Sequence, residues 1–197
     1  MKSKGEGMSK VQKNLTSRRT VYKFKEQKVP AEIITEALEA ASNAPCHKHT
    51  HPWRFYSIGN STRKSLIPSI TRLARKKSEK KKSNNVDADI QRAVSKIISA
   101  PILFAITSKK SPDDDFREKE DYAASVCALH NMVLSFWDNG IGSLWSTGSI
   151  TRDHETYRIL GINPNEQEII GFVRAGYPLS VPSVKKPSFQ EVTSYLD

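Results

Sequence analysis

The chain of 197 residues carries 31 Lys and Arg against 21 Asp and Glu, a net charge of +10, with 37% hydrophobic residues. That is long enough for one domain with a sizeable core and too apolar for wholesale disorder. No apolar run reaches the ~18–20 residues of a membrane helix. The N-terminal stretch MKSKGEGMSKVQKN lacks the apolar segment of a secretory signal, and Cys46 and Cys127 offer no disulfide framework, so the cytoplasm is the expected compartment.

Residues 1–8 read as a flexible tail and 9–197 as a single domain. A short helix is predicted from Ser9 to Ser17, with Val11 and Leu15 inward. Pro30 opens a stronger helix, in which Ile33, Ile34, Ala37, Leu38 and Ala41 share a face. It ends at Asn43-Ala44-Pro45, because a residue before proline is pushed out of the helical region. Trp53–Ile58 alternates as a strand does and stops at Gly59-Asn60. Residues 61–82 read as a helix with Leu66, Ile67, Ile70 and Leu73 inward, Pro68 either interrupting it or marking its start. Asp89–Ser99 is another, with Ile90, Ala93, Val94, Ile97 and Ile98 at helical spacing. The continuous apolar run Pro101–Thr107 suits a strand buried on both faces.

Asp121–Asn139 is the longest clean helix, with Ala123, Val126, Leu129, Val133, Leu134 and Trp137 as its apolar positions and Asn139-Gly140 as its stop. A glycine-rich turn through Gly148 follows, then a helix around Asp153–Leu160 and a last strand, Ile169–Gly176. The remainder, with Pro178, Pro182 and Pro187, reads as an extended arm suited to lie across a second subunit. Irregular alternation of strands and helices around an apolar central helix predicts a mixed α/β sheet sandwiched by helices.

Seven cations fall between Arg72 and Lys82. They read as a solvated helix end and loop; the alternative is a landing strip for an anionic cofactor or RNA, although no aromatic residue interleaves them. Asp87/Asp89 and Asp113–Asp115 read as solvated loops, and Tyr122, His130 and His154 carry no assigned role.

Three segments carry chemistry. In Arg18-Arg19-Thr20 the two guanidiniums point apart in extended backbone, so one can fork onto a phosphate while the other reaches a carbonyl or carboxylate. Cys46-His47-Lys48-His49-Thr50-His51 allows several readings: a zinc site on His47, His49 and His51, an activated Cys46–His47 pair, an exposed polar loop, or a loop at a cofactor's edge. In Gly142-Ser143-Leu144-Trp145-Ser146-Thr147-Gly148 the glycines allow close backbone approach to a flat ligand. Together these parts suit a large, flat, phosphorylated cofactor that performs the chemistry itself.

The ordered set resembles the nitroreductase family of FMN-dependent oxidoreductases, particularly its small single-domain members, from about Leu15 to Phe189. The resemblance rests on the double arginine plus hydroxyl, the helix ending in Ala44-Pro45, Pro52-Trp53 opening a strand, the Gly142…Trp145…Gly148 segment, and Gly176-Tyr177-Pro178. It implies an α+β three-layer sandwich with a mixed, mainly antiparallel sheet flanked by helices. It also implies an obligate-type homodimer with exchanged C-terminal arms and FMN at the interface. Arg18, Arg19 and Thr20 would contact FMN phosphate and ribityl or ring oxygens. His47 and Asn43 would reach the cofactor from the other subunit, Trp145, Ser146 and Thr147 would line its ring edge, and Lys185 or Lys186 would complete the phosphate site. Two departures stand out: Thr20 and Lys23 where the family often has Ser followed three residues on by Arg, and His51 where many members carry Gln before Pro-Trp.

The activity so implied is NADH- or NADPH-driven reduction of electron-poor acceptors such as nitro compounds or quinones by a ping-pong scheme. The flavin carries the chemistry, with no catalytic side chain and no metal. Arg18 or Arg19, then Lys48, would stabilise the reduced flavin. A flavin protein of the same fold with a dehalogenating, flavin-cleaving or storage role is the alternative, followed by a basic RNA-binding protein. Neither membrane nor nucleic acid is an expected partner.

Overall fold

The computed structural model describes residues 8–196, so most of the proposed 1–8 tail lies outside the described residues. The helices are α1 (Lys10–Ser17), α2 (Ala31–Ser42), α3 (Asn60–Lys80), α4 (Val86–Ile98), α5 (Asp115–Asp138) and α6 (His154–Leu160). The strands are β1 (Trp53–Ser57), β2 (Ile102–Lys109), β3 (Gly142–Ser146) and β4 (Gln167–Gly176). They form one sheet in the order β1-β2-β4-β3, every neighbour antiparallel. The only parallel pairing among the described residues is an isolated bridge, Thr20 with Ser143, so the sheet is antiparallel rather than mixed.

β2 and β4 lie centrally and are buried on both faces, as their continuous apolar runs require. Strand alternation sends Phe104, Ile106 and Val173 to one side, where they pack with Met132 and Phe136 of α5 and with α2. It sends Leu103 and Phe172 to the other, against Leu66 of α3, Ile97 of α4 and Tyr157 of α6. Helices therefore cover both faces, giving the three layers of an α+β sandwich.

Several boundaries differ from the pattern-based reading, each for a local reason. α5 begins six residues before Asp121 because Asp114 caps it, its Oδ1 accepting from Arg117 N–H at 2.9 Å. α4 begins at Val86, capped by Asn85 Oδ1 on Ala88 N–H at 3.0 Å. The acidic residues Asp87, Asp89 and Asp115 are thus first-turn residues that complement the helix dipole, not loop residues. Pro68 stands inside α3, which runs unbroken past it. The glycine-rich segment is not a turn: its first five residues form edge strand β3. α5 stops as expected, with Gly140 at φ +71° in the left-handed conformation that glycine adopts freely.

Two expected burials are absent. Val11 and Leu15 of α1 are 70% and 47% exposed, since α1 is held to α5 by polar contacts instead. Asn14 Nδ2 donates to Leu134 O at 3.1 Å, and Lys10 pairs with Asp138 at 3.0 Å. On α5 the buried stripe is Ala124, Ala128, Leu129, Met132, Val133 and Phe136, leaving Val126, Leu134 and Trp137 only partly covered and Ala123 exposed.

Beyond Gly176 the chain is extended apart from a 3-10 turn, Phe189–Val192. Leu179 N–H donates to Lys23 O at 3.0 Å, which fastens the arm's start. Farther on, Val181, Val184, Phe189, Val192, Tyr195 and Leu196 are all exposed.

Candidate functional site

The site is built on the free edge of β3. Val21 N–H donates to Ser143 O at 2.9 Å, laying Arg18–Tyr22 alongside the strand. Gly142 permits this approach: a Cβ there would lie 2.5 Å from Val21 Cγ2. Trp145 lies across β4 above Gly171 and donates Nε1–H to Ile170 O at 3.2 Å. Its indole stays 40% exposed, a flat aromatic surface at the sheet edge. Ser146 is held by its hydroxyl on Phe172 O at 3.2 Å, and Thr147 is exposed.

On the α3–α4 side of this edge opens a cleft of about 530 Å³. Tyr22, Leu144, Ser146 and Gly148 form its β3 wall. Lys77 and Lys81 enter from α3 and its end, Arg92 and Lys96 from α4, and Arg174 from β4. The lysine run is therefore only partly solvated: Arg72 pairs with the buried Asp153 carboxylate, and two of its lysines face the cleft. Five cations against one carboxylate, Asp89, make the cleft an anion-attracting space. Burial pushes the Arg174 guanidinium pKa below its usual value, although it remains a cation at neutral pH.

The other expected residues divide into two groups. Arg18 lies close enough to His130 that its charge adds to burial in holding that imidazole's pKa down. Arg19 is turned back on its own chain, Nη1 donating to Thr16 O at 2.8 Å and Arg18 O at 2.9 Å. Lys185 and Lys186 are exposed on the arm. Asn43 ends α2, its Nδ2 donating to Glu39 O at 2.8 Å, and His47 Nδ1 is 3.7 Å from Glu120 Oε1. Glu120 and His130 are ten helical residues apart on α5, roughly 15 Å. Within one protomer, then, His47 does not join Arg18.

The histidine segment is not extended. It makes a 3-10 turn, His47–His49, with Lys48, His49 and His51 at φ 50°, 52° and 42°. Thr50 Oγ1 donates to buried Asp121 at 2.6 Å and fastens the turn to α5. The three imidazoles consequently do not share the face that the zinc reading required; among the described residues no three His, Cys, Asp or Glu gather to hold a metal. Cys46 Sγ lies 3.8 Å from His51 Nδ1, so that thiol's imidazole neighbour is His51 rather than His47.

The model of the Nitroreductase family matches residues 15–177. The chain belongs to the nitroreductase family. The chain is 31% identical over 173 residues to "Putative NAD(P)H nitroreductase YfhC" of Bacillus subtilis, covering 87% of this chain and 86% of that protein. A nitroreductase-like family protein from Bacillus cereus superposes with a TM-score of 0.80 at 23% identity, covering 98% of each chain. A nitroreductase with bound FMN from Bacteroides fragilis does so with a TM-score of 0.73 at 22% identity, covering 96% of this chain and all of the other.

Against the expectations for a nitroreductase-family chain, the cleft adds Tyr22, Arg92, Lys96 and Arg174, none of them singled out by sequence reasoning, and draws Lys77 and Lys81 from the cation run Arg72–Lys82. Arg174 carried a signal, being the one cation in the otherwise apolar run Ile169–Gly176. Lys96 and Arg92 carried none, because they sit among ordinary polar positions of an amphipathic helix.

Proposed function

We propose that the chain is an FMN-dependent oxidoreductase that uses NADH or NADPH to reduce small electron-poor acceptors, and that it works as a homodimer. The observation that carries the reading is the outer edge of β3, where Arg18–Thr20 run alongside the strand and Trp145 keeps an open face; the cationic cleft adjoins this edge through Tyr22, Leu144 and Ser146. These groups fit the cofactor: guanidinium and hydroxyl for a phosphate, close backbone and an indole for a flat ring. The NAD(P)H nitroreductase name of the Bacillus subtilis relative and the FMN bound in the Bacteroides fragilis structure support the same reading.

When bound, FMN supplies a two-electron carrier that takes hydride from the nicotinamide and passes it to the acceptor. Arg18 and Thr20 would hold its phosphate, joined by Lys185 or Lys186 from an arm. Trp145, Ser146 and Thr147 would orient the ring at the end of β3. A fixed cation near developing negative charge favours the reduced state. Arg19 has its guanidinium engaged by backbone carbonyls, so Arg18 is the better placed of that pair for this role.

Three features support the second subunit. His47 stands beside Glu120 and Arg18 beside His130, ten helical residues apart on α5, so the two do not share a site within one protomer. The arm's large apolar residues are exposed, and α5 keeps a partly covered apolar stripe. Such surface is ordinarily buried by association. Sedimentation of FMN-saturated protein tests the reading, with a flavin-containing dimer as the expected species. A stable lone protomer without flavin would contradict it.

A further inference from the structure

We propose that the cleft selects a second substrate bearing an oxyanion, a carboxylate or a phosphate, on an apolar body, and that Arg174 is the group that receives that anion. The proposal takes only the identity of the reaction from the reading above; the anion preference comes from the cleft.

Arg174 is 6% exposed. A guanidinium has five donors, and burying it is costly unless they are met. Here Nη1 reaches Lys96 O at 3.3 Å, a long bond, and among the described residues no carboxylate pairs with Arg174. Arg63 shows the contrast. It is equally buried and, among the described residues, equally without a carboxylate, but its Nε and Nη1 are spent on the carbonyls of Ile58, Ile97, Ile98 and Ala100, and it does not line this cleft. Arg63 ties α3 to the end of α4, whereas Arg174 keeps donors for a ligand.

Nothing in the cleft neutralises this charge. Asp89, the one carboxylate there, is engaged by the Ser78 hydroxyl at 2.6 Å and by Arg92. Those bonds, Ser78 first, then Ser83 and Arg92, push its pKa down to about 2, so it stays a satisfied anion turned to its own partners. Lys77, Lys81 and Lys96 add positive potential around the opening. Much of the remaining wall is apolar, with Ile70 and Leu73 of α3, Ala93 of α4, and Leu144 and Ile150 from the β3 side, alongside the hydroxyls of Tyr22, Ser78, Ser146 and Ser149. A space of about 530 Å³ with one forked cation free of a carboxylate and largely apolar walls suits a small aromatic anion. The oxyanion can come from an acceptor's carboxylate or from the additional phosphate of NADPH.

Isothermal titration of the FMN-loaded protein separates these sources. One arm compares para-nitrobenzoate with neutral para-nitrobenzamide; the other compares NADP+ with NAD+. The member with the additional oxyanion, in at least one pair, is expected to bind more tightly. In Arg174→Met that preference should fall by about ten- to a hundredfold, the worth of a charge-assisted bond, while the member lacking the extra oxyanion is unaffected. Arg174→Lys, which keeps charge but loses the fork, should restore part of it. No anion preference in the wild type, or preferences unmoved in Arg174→Met, overturns the proposal. So does a loss of FMN-over-riboflavin affinity in Arg174→Met with both preferences intact, because Arg174 would then serve the cofactor's phosphate. If Arg174→Met does not fold, Lys77→Met and Lys81→Met at the rim must lower the same preference, and their failure to do so counts equally against it. A protein that takes up no FMN refutes the oxidoreductase reading instead, and the flavin absorbance before each titration tells the two failures apart.

Discussion

Gly171→Ala tests how the Trp145 surface is held. A Cβ at position 171 would stand 2.1 Å from Trp145 Nε1 and 2.5 Å from its Cδ1. Ordinary contact begins near ~3.5 Å, so the indole must retreat by roughly 1.4 Å. That movement breaks the 3.2 Å bond to Ile170 O, and the Ser146 carbonyl, 3.2 Å from the new methyl, limits any other escape. Overpacking costs ~1–3 kcal/mol and the lost hydrogen bond about 1 kcal/mol, giving roughly 3 kcal/mol. For a chain of this size that lowers Tm by about 6–12 °C. Denaturation of the wild type, Gly171→Ala, Trp145→Ala and the double variant isolates the effect. With the indole gone, Gly171→Ala should cost less than about 1 kcal/mol, a coupling far above the ~0.5 kcal/mol of independent sites. An equal cost in both backgrounds would show that the glycine is not there for the indole. FMN affinity should fall in Gly171→Ala as well, since Trp145 is displaced.

Arg18→Ala should weaken FMN retention about ten- to a hundredfold, the loss of one charge-assisted phosphate contact at ~1.5–3 kcal/mol; fluorescence titration reads it, and unchanged affinity removes Arg18 from the site. His130 reports the same contact without mutation. Burial and then the charge of Arg18 lower its pKa, so a phosphate on Arg18 should raise it, and an NMR titration that finds it unmoved at saturating FMN places the phosphate elsewhere. Asp153 caps α6 through Thr156 N–H and accepts the Thr156 hydroxyl, both at 3.1 Å, with its side chain 8% exposed. Asp153→Ala should cost roughly 2–4 kcal/mol in urea denaturation, from the lost cap and the stranded hydroxyl; the Arg72 partner is largely exposed and adds little. Burial alone would raise the Asp153 pKa, but Arg72 and Thr156 bring it below the ordinary value. Its stabilisation is therefore complete above pH ~4 and is lost as pH falls through the folded pKa. Asp153→Asn should flatten that acid limb, and an unchanged limb would exclude Asp153 as its source.

The central elements were legible because each lies on a face with one period. Ala31–Ser42 shows helical spacing behind Pro30, and β2 and β4 are continuous apolar runs. The start of α5 was not, since Asp115–Glu120 is polar and only its cap marks it. β3 was hidden by its own glycine, which serves the close approach of Val21 and mimics a turn signal. The histidine segment misled because alternate residues share a face only in extended backbone, and three left-handed residues there curl it. The Arg18 and Trp145 segments were found as local motifs. The cleft was not, because Lys77, Arg92 and Arg174 are brought together by the β1-β2-β4-β3 order and not by proximity in the chain. A lysine run in helix α3 looks the same in sequence whether it faces water or an anion site.

The most direct measurement is the visible spectrum of the FMN-saturated, gel-filtered protein, recorded without oxygen before and after one equivalent of NADPH or NADH. The account predicts a retained yellow flavin that bleaches on adding a nicotinamide and recovers its colour with a quinone or nitroaromatic acceptor. A protein that elutes colourless, or a retained flavin that neither nicotinamide bleaches, contradicts it.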